Sequence, residues 1–187
     1  MIKKPTLVID EDKVRKNLAF MAEKIKRQNV NFRPHFKTHQ SDEIGEIFRE
    51  YQINTITVSS VDMAVYFAAH GWKDIFIAFP VNILQIEEIL ELSNRVKLSL
   101  LFEVPESAVF IDRHLSSPVS GWIKIDSGAH RAGLMVNQLE EIYRLANQIN
   151  ESHWIKFMGI ATHAGHSYAA KDENGISTVY RQSLADL

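Results

Sequence analysis

The sequence contains no cysteine among its 187 residues. This absence excludes disulfide bonds and any metal site built from thiolates. A chain without cysteine is compatible with a reducing compartment, and we therefore expect a cytoplasmic location.

An excess of one charge and a long apolar run are also missing. The 21 lysines and arginines nearly balance the 23 aspartates and glutamates, which leaves a formal charge of −2. Such a balance gives no electrostatic footprint for nucleic acid or for an anionic membrane. No apolar run approaches the roughly 18–20 residues that span a bilayer, and the N-terminus lacks the apolar stretch of a secretory signal. We expect neither nucleic acid nor membrane among its partners.

The sequence does contain the alternation that is typical of α/β proteins. Hydrophobic residues make up 45% of the chain, enough for a sizeable core in one domain. Short β-branched and apolar runs predict strands at residues 6–10, 30–36, 53–58, 74–79, 96–102, 121–126 and 156–162. Amphipathic segments lie between these runs, and the clearest helix face consists of Leu139, Ile142, Ala146 and Ile149.

Strands that alternate with helices predict a parallel sheet. From residue 30 onward the pattern gives six strand–helix repeats, preceded by one extra strand and helix. The sheet is either an open doubly wound sheet or a (β/α)8 barrel, which typically needs about 250 residues. Because the sequence stops at Leu187 within an apparent helix, we expect a TIM-type barrel truncated after about six units, with residues 1–187 as one partial domain.

The most informative segment is RPHFKTH, at residues 33–39. It places Lys37 among an arginine and two histidines, directly after a predicted strand. Neighbouring cationic groups favour the neutral form of an amine, which is the form that a Schiff-base nucleophile needs. Arg33, His35 and Lys37 alternate along the strand and could share one face. The alternative is a solvated surface lysine in a polar loop.

His35 and His39 also have the spacing of a zinc-binding pair on a helix. Pro34 and the strand pattern argue against a helix here, so we favour hydrogen bonding or electrostatics around the neighbouring lysine. A metal-dependent hydrolase that uses these two residues with His163 and His166 is a further alternative, but it lacks an evident carboxylate ligand. We predict no metal ligands in this chain.

Two more strand ends carry chemistry-bearing residues. Residues 124–133 (KIDSGAHRAG) include two glycines, which permit positive φ. The same segment contains Arg131, whose guanidinium can donate two parallel hydrogen bonds to a phenolate or carboxylate. Residues 162–168 (THAGHSY) place His163 where it can stack on an aromatic cofactor or transfer protons. Each segment alone could be an ordinary polar loop, but a barrel would bring these strand ends together.

At these motifs the chain resembles the D-serine dehydratase and D-threonine aldolase-like family, pyridoxal-phosphate enzymes of fold type III with an alanine-racemase-type barrel. The resemblance covers nearly the whole chain and depends on five segments, at residues 6–10, 33–40, 57–81, 124–133 and 162–168. The chain departs from the family pattern at Gln40, where a lysine is common, and at Asp62-Met63, where a Glu-Ala pair is common.

The resemblance implies roles for four residues. Lys37 resembles the lysine that forms the Schiff base with pyridoxal phosphate, and Arg131 corresponds to the arginine near the phenolic oxygen of the cofactor. His163 resembles the histidine that packs against the pyridine ring. Tyr168 is similar to a tyrosine near cofactor and substrate, so that Lys37 and Tyr168 are the expected catalytic residues.

The resemblance also implies a function, a lyase acting on a small β-hydroxy D-amino acid by D-serine dehydration or D-threonine aldol cleavage. A non-catalytic pyridoxal-phosphate-binding homeostasis protein and an amino-acid racemase are the alternatives. The family carries a C-terminal β-rich domain that supplies metal ligands in some members and completes the site of a homodimer. We expect this domain and the last barrel loops to lie outside this chain, so that a divalent metal would enter only through that domain.

Overall fold

The computed structural model describes residues 3, 4, 6 and 8–187. It contains seven α-helices in this part of the chain: α1 (Glu11–Gln28), α2 (Asp42–Glu50), α3 (Val61–Ala69), α4 (Ile86–Arg95), α5 (Pro105–His114), α6 (Leu139–Asn150) and α7 (Glu173–Ala185). The strands are β1 (Thr55–Val58), β2 (Asp74–Pro80), β3 (Lys97–Phe102), β4 (Val119–Asp126), β5 (Leu134–Met135) and β6 (Ile155–Thr162). None of the helices described is long and apolar enough to cross a bilayer.

The strands form one six-stranded sheet in which every pairing is parallel. Strands β1 to β4 lie side by side in chain order, and β4 also pairs with β6 and with the short β5. Each of the helices α3, α4 and α5 connects one strand to its neighbour, which is the repeating unit of a β/α barrel. All carboxyl ends of the strands therefore meet at one rim, where barrel enzymes carry their active sites.

The main core lies between the sheet and the helices. Alternate residues of the strands, such as Ile56, Ile75, Leu98 and Ile123, are fully or almost fully buried, and they pack with apolar side chains of α3 to α6. The other face of the sheet lines the interior of the barrel. There the rings of Phe76 and Trp122 lie 5.9 Å apart and begin to fill the space between β2 and β4.

Side-chain caps and proline determine where several helices begin. Ser60 caps α3 by accepting from the Met63 N–H at 3.2 Å, and Pro105 occupies the first turn of α5. The last helix begins at Glu173, where Asp172 accepts from the Gly175 N–H at 2.8 Å and caps it.

Two predicted strands are not formed as expected. Residues 30–36 make only a single parallel bridge, between His35 and Thr57, because Pro34 has no N–H for a ladder and the chain then turns into a 3-10 turn, Phe36–Thr38. In residues 6–10, Leu7 lies outside the described residues, and the described members form no strand. The two-residue strand β5 was not predicted, since it is too short to produce a periodic pattern.

Candidate active site

A cavity of about 250 Å³ opens at the carboxyl-terminal rim of the sheet. Its polar lining includes Lys37, Lys124, Arg131 and His163, and its apolar lining comes from β2, β3 and β6. The three segments that the sequence analysis singled out thus contribute to one cavity, as the barrel predicts. Tyr168 is not part of this lining.

Lys37 reaches the cavity from the 3-10 turn that follows the His35 bridge. The turn is fixed to the sheet on both sides of Pro34, whose carbonyl accepts from the Thr57 N–H at 2.8 Å. Below it, the buried ring of Phe36 lies 4.9 Å from the ring of Trp72 and anchors the turn in the core. Among the described residues, the Lys37 ammonium makes no ion pair, so its amine is available to a ligand.

Arg33 and His35 line the same cavity as Lys37, although the segment is not a regular strand. The guanidinium of Arg33 donates to Asp74 Oδ1 at 2.6 Å and to the carbonyls of Ile56 and Asp74 at 3.1 and 3.2 Å. These contacts tie the incoming segment to β1 and β2. Arg33 is therefore paired with Asp74 and is not a free cation within the cavity.

The turn that presents Arg131 is organised around the buried carboxylate of Asp126. Its Oδ1 accepts from the backbone N–H groups of Gly128, Ala129 and His130 at 2.9, 2.9 and 3.1 Å. Burial opposes ionisation of Asp126, but these hydrogen bonds outweigh it and lower the pKa of the carboxyl. The turn is thereby held rigidly at the end of β4.

Gly133 closes this turn where no other residue fits without strain. Its φ is +106°, and a Cβ there would lie 2.7 Å from the Lys124 Cγ and 2.9 Å from the Lys124 carbonyl oxygen. Its N–H donates to Glu103 at 2.9 Å, which connects the turn to the end of β3. The glycine thus lets the chain double back closely over β4.

The loop after β6 carries His163 and contacts the Arg131 turn. The hydroxyls of Ser127 and Thr162 form a 2.8 Å hydrogen bond, and the ring of His166 packs against Gly128. Tyr168 lies 5.9 Å from the ring of His163 in an edge-to-face arrangement, but its side chain is 80% exposed. The two loops therefore form one contiguous wall, and Tyr168 stands at its outer edge.

The electrostatics of the cavity keep its histidines neutral. Burial lowers the pKa of His163, and the charges of Arg131, Lys37 and Lys124 lower it further. Burial also lowers the pKa of His35 to about 4, with smaller contributions from Lys37 and His163. The remaining basic groups on the cavity are Lys37, Lys124 and Arg131, and such a lining favours an anionic ligand.

Lys124 also lines the cavity, although its motif predicted no role for it. It is only 7% exposed, and its amine donates to the Ile125 carbonyl at 2.7 Å. Burial lowers the pKa of this amine, against the opposing effect of Asp126. A lysine at an inward position of an otherwise apolar strand was the available signal, because Trp122, Lys124 and Asp126 alternate on one face.

His39 lies outside the cavity, in an aromatic cluster. Its ring centroid is 4.5 Å from that of Phe36 and 5.6 Å from that of Phe48, and burial lowers its pKa. In the part of the chain that the structure describes, no group of three or more side chains could hold a metal ion. The hydrolase alternative, which needs His39 beside the other histidines, finds no support in this geometry.

Comparison with known proteins places this geometry in a family. The model for "Alanine racemase, N-terminal domain" matches residues 9–186. The chain belongs to the alanine racemase N-terminal domain family. The resemblance drawn from its motifs and the prediction of a partial β/α barrel are both confirmed by this match and by the structures below.

Among its relatives in this family, D-threo-3-hydroxyaspartate dehydratase of Delftia sp. (strain HT23) is 30% identical over 168 residues. Its solved structure superimposes with a TM-score of 0.91 over 99% of this chain. The D-serine dehydratase of Dictyostelium discoideum is 27% identical over 190 residues. The D-threonine aldolase of Filomicrobium marinum, at 19% identity, shares the fold with a TM-score of 0.92.

The chain spans about half the length of the relatives it matches. It covers 44% of the Delftia enzyme and 48% of the Dictyostelium enzyme by sequence, and 50% of the solved chains of the Delftia and Filomicrobium proteins. The similarity therefore concerns the barrel that carries Lys37, Arg131 and His163.

Proposed function

We propose that this chain is the barrel part of a pyridoxal-phosphate-dependent lyase acting on a small β-hydroxy D-amino acid. The observation that carries the proposal is the convergence of Lys37, Arg131 and His163 on one cavity at the carboxyl-terminal rim. The relatives named above, two dehydratases and an aldolase, favour a lyase over a racemase.

The described residues fit an anionic aromatic aldehyde. Lys37 offers an amine without an ion-pair partner in the described part of the chain, and Arg131 offers a guanidinium on the same cavity. His163 is kept neutral by burial and by nearby cations, so that its ring can pack on a heterocycle without adding charge. Bound pyridoxal phosphate supplies an electron sink that weakens the bonds to the α-carbon of an amino acid.

In this proposal, different residues of the chain bind the cofactor and transfer protons. Lys37 would hold the aldehyde carbon, and its neutral amine, once released, would accept the α-proton of the substrate. Arg131 would donate hydrogen bonds to the phenolic oxygen, and the Asp126 turn would keep it oriented. Tyr168, at the edge of the wall beside His163, is the proposed second catalytic residue, placed to meet a substrate entering from solvent.

Two reactions fit this arrangement. Dehydration removes the α-proton, expels the β-hydroxyl as water, and after hydrolysis yields a keto acid and ammonium. Aldol cleavage instead removes the proton of the β-hydroxyl and breaks the bond between the α- and β-carbons. The β-carbon leaves as an aldehyde, and the α-carbon takes up a proton to give glycine. D-Serine, D-threonine and D-threo-3-hydroxyaspartate are the substrates to test, because the names of the relatives point to them.

The proposal also covers the location and the assembly of the enzyme. We place the enzyme in the cytoplasm as a homodimer, with a C-terminal β-rich domain outside this chain that would supply any divalent metal. The basis is the family resemblance and the half-length match to the relatives. Sedimentation at several protein concentrations distinguishes a dimer from a monomer.

Titration with pyridoxal phosphate tests the central role of Lys37. The protein should develop a visible absorption band on adding the cofactor, and the Lys37→Ala variant should not. Lys24→Ala, which removes an exposed lysine of α1, should behave as the wild type. A band that persists in Lys37→Ala contradicts the assignment.

Product analysis then separates the activities. Keto acid and ammonium from D-serine or D-threo-3-hydroxyaspartate identify a dehydratase, and glycine with acetaldehyde from D-threonine identifies an aldolase. Cofactor binding without turnover of any of these favours the carrier alternative, and conversion between D- and L-amino acids favours the racemase.

A further inference from the structure

His35 connects the sheet to the turn that carries Lys37. It forms the parallel bridge to Thr57 of β1, and it is the residue immediately before the 3-10 turn Phe36–Thr38. Its Nδ1 accepts a hydrogen bond from the backbone N–H of Lys37 at 3.3 Å. The ring also lines the cavity into which Lys37 opens.

This hydrogen bond determines the protonation state of the ring. A neutral imidazole carries one proton, and a nitrogen that accepts a hydrogen bond cannot carry it. The proton of His35 must therefore reside on Nε2. Burial and the nearby charges of Lys37 and His163 disfavour a second proton, which would destroy the acceptor on Nδ1.

We propose that His35 is a positioning residue, a neutral ring with its proton on Nε2 that caps the 3-10 turn and thereby holds Lys37 at the cavity. The positioning effect rests on the proposed function, in which Lys37 is the reacting amine. The cap and the tautomer are properties of the chain alone. A fixed turn lowers the entropic cost of bringing an amine to its reaction partner.

The protein contains a second turn that suggests the conservative replacement. Asn82 precedes the 3-10 turn Ile83–Gln85, and its Oδ1 accepts from the Leu84 N–H at 3.1 Å, two residues along the chain. An asparagine at position 35 can therefore supply the same acceptor without a ring. A leucine at position 35 removes the acceptor and keeps a similar volume.

The first experiment measures the ring itself, in the protein without cofactor. Nitrogen-15 NMR of histidine side chains, assigned with the His35→Asn variant, should show His35 neutral at pH 7 with its proton on Nε2. A ring protonated on Nδ1, or one that is charged at pH 7, overturns the proposal. This result does not depend on any activity of Lys37.

The second experiment measures the rate at which pyridoxal phosphate forms its covalent adduct with the protein. His35→Leu should react about fivefold more slowly, which is the factor that corresponds to the usual free energy of a lost cap, whereas His35→Asn should stay within about twofold of the wild type. His114→Leu is the matched control, because His114 also uses Nδ1 to bond a backbone group but lies exposed on α5. Melting curves of all variants verify that they fold.

The outcomes separate the two proposals. If the wild type forms no adduct at all, the proposed function fails, while the NMR experiment still decides whether His35 caps the turn.

If the wild type reacts and His35→Leu reacts equally fast, the positioning role of His35 is wrong. If His35→Asn is as slow as His35→Leu, the acceptor is not what matters, and the capping proposal is overturned. Should His35→Leu not fold, the comparison of His35→Asn with the wild type and the ring's NMR state still decide the proposal.

Discussion

At the scale of single residues, the candidate site concentrates positive charge around an apolar space. Lys37, Lys124 and Arg131 line one cavity, whereas the nearby carboxylates are occupied: Asp126 by backbone N–H groups and Glu103 by the Gly133 N–H. Such an arrangement leaves cationic groups available to a ligand. An anionic ligand would therefore gain charge-assisted hydrogen bonds here.

Replacing Arg131 by methionine should weaken binding of pyridoxal phosphate by roughly ten- to a hundredfold. The loss corresponds to about 1.5–3 kcal/mol, the usual contribution of a hydrogen bond to a charged group. Equilibrium titration measures it, with Arg113→Met on the exposed side of α5 as the control. Equal affinities of the Arg131 variant and the wild type would remove Arg131 from the site.

At the scale of elements, the short turns after the strands carry the site, and glycine and Asp126 determine their shape. The sequence predicted that these turns carry the functional groups, because KIDSGAHRAG and THAGHSY follow apolar strands. It did not predict that Asp126 is the acceptor at the centre of the first turn, since an i to i+2 and i+3 contact produces no periodic pattern.

Replacing Asp126 by alanine should destabilise the protein by about 1–3 kcal/mol, because three backbone N–H groups lose their acceptor in a part-buried turn. Asp126→Asn keeps one side-chain oxygen and should cost less. Asp62→Ala, on the exposed face of α3, serves as the control. Urea unfolding measures the differences, and equal stabilities of Asp126→Ala and the wild type would contradict the account of the turn.

Replacing Gly133 by alanine should cost more than replacing Gly71. Both glycines have a positive φ, +106° at Gly133 and +87° at Gly71. A Cβ at Gly133 would lie only 2.7 Å from the Lys124 Cγ. A Cβ at Gly71 would have as its nearest atom the flexible end of the Arg49 side chain, at 3.5 Å. We expect about 1 kcal/mol at Gly71 from the backbone alone and about 2–4 kcal/mol at Gly133. The comparison by thermal or urea unfolding isolates the crowding, and similar losses at the two sites would show that crowding contributes little.

At the scale of the whole molecule, periodic patterns predicted most of the parallel sheet and the presence of helices between its strands. Five of the predicted strands correspond to β1, β2, β3, β4 and β6. The failures have local causes, because Pro34 prevents a ladder before Lys37 and β5 is too short to be recognised. The barrel topology predicted that the segments of Lys37, Arg131 and His163 meet at one rim, whereas the exposed position of Tyr168 outside the cavity lining required the structure.

Acid should destabilise the folded molecule through its half-buried histidines. His35, His39 and His163 all have a lowered pKa in the folded state, first because of burial, and His35 titrates only at about 4. An unfolded histidine titrates near 6.5, so below that pH the unfolded chain binds more protons than the folded one. The free energy of unfolding should therefore fall as the pH is lowered from 7.5 to 5.

Melting temperatures over this pH interval check the prediction, and His35→Asn should show a smaller decrease than the wild type because it lacks one of the three titrating rings. His114→Leu should keep the full decrease. A melting temperature that rises on acidification would mean that the buried histidines do not govern this part of the stability profile.

The most direct measurement is reduction of the protein with borohydride in the presence of pyridoxal phosphate, followed by peptide mass mapping. The account predicts a single modified site at Lys37, although Lys124 is a second amine on the same cavity. Attachment of the cofactor to Lys124, or labelling spread evenly over the exposed lysines, would contradict it.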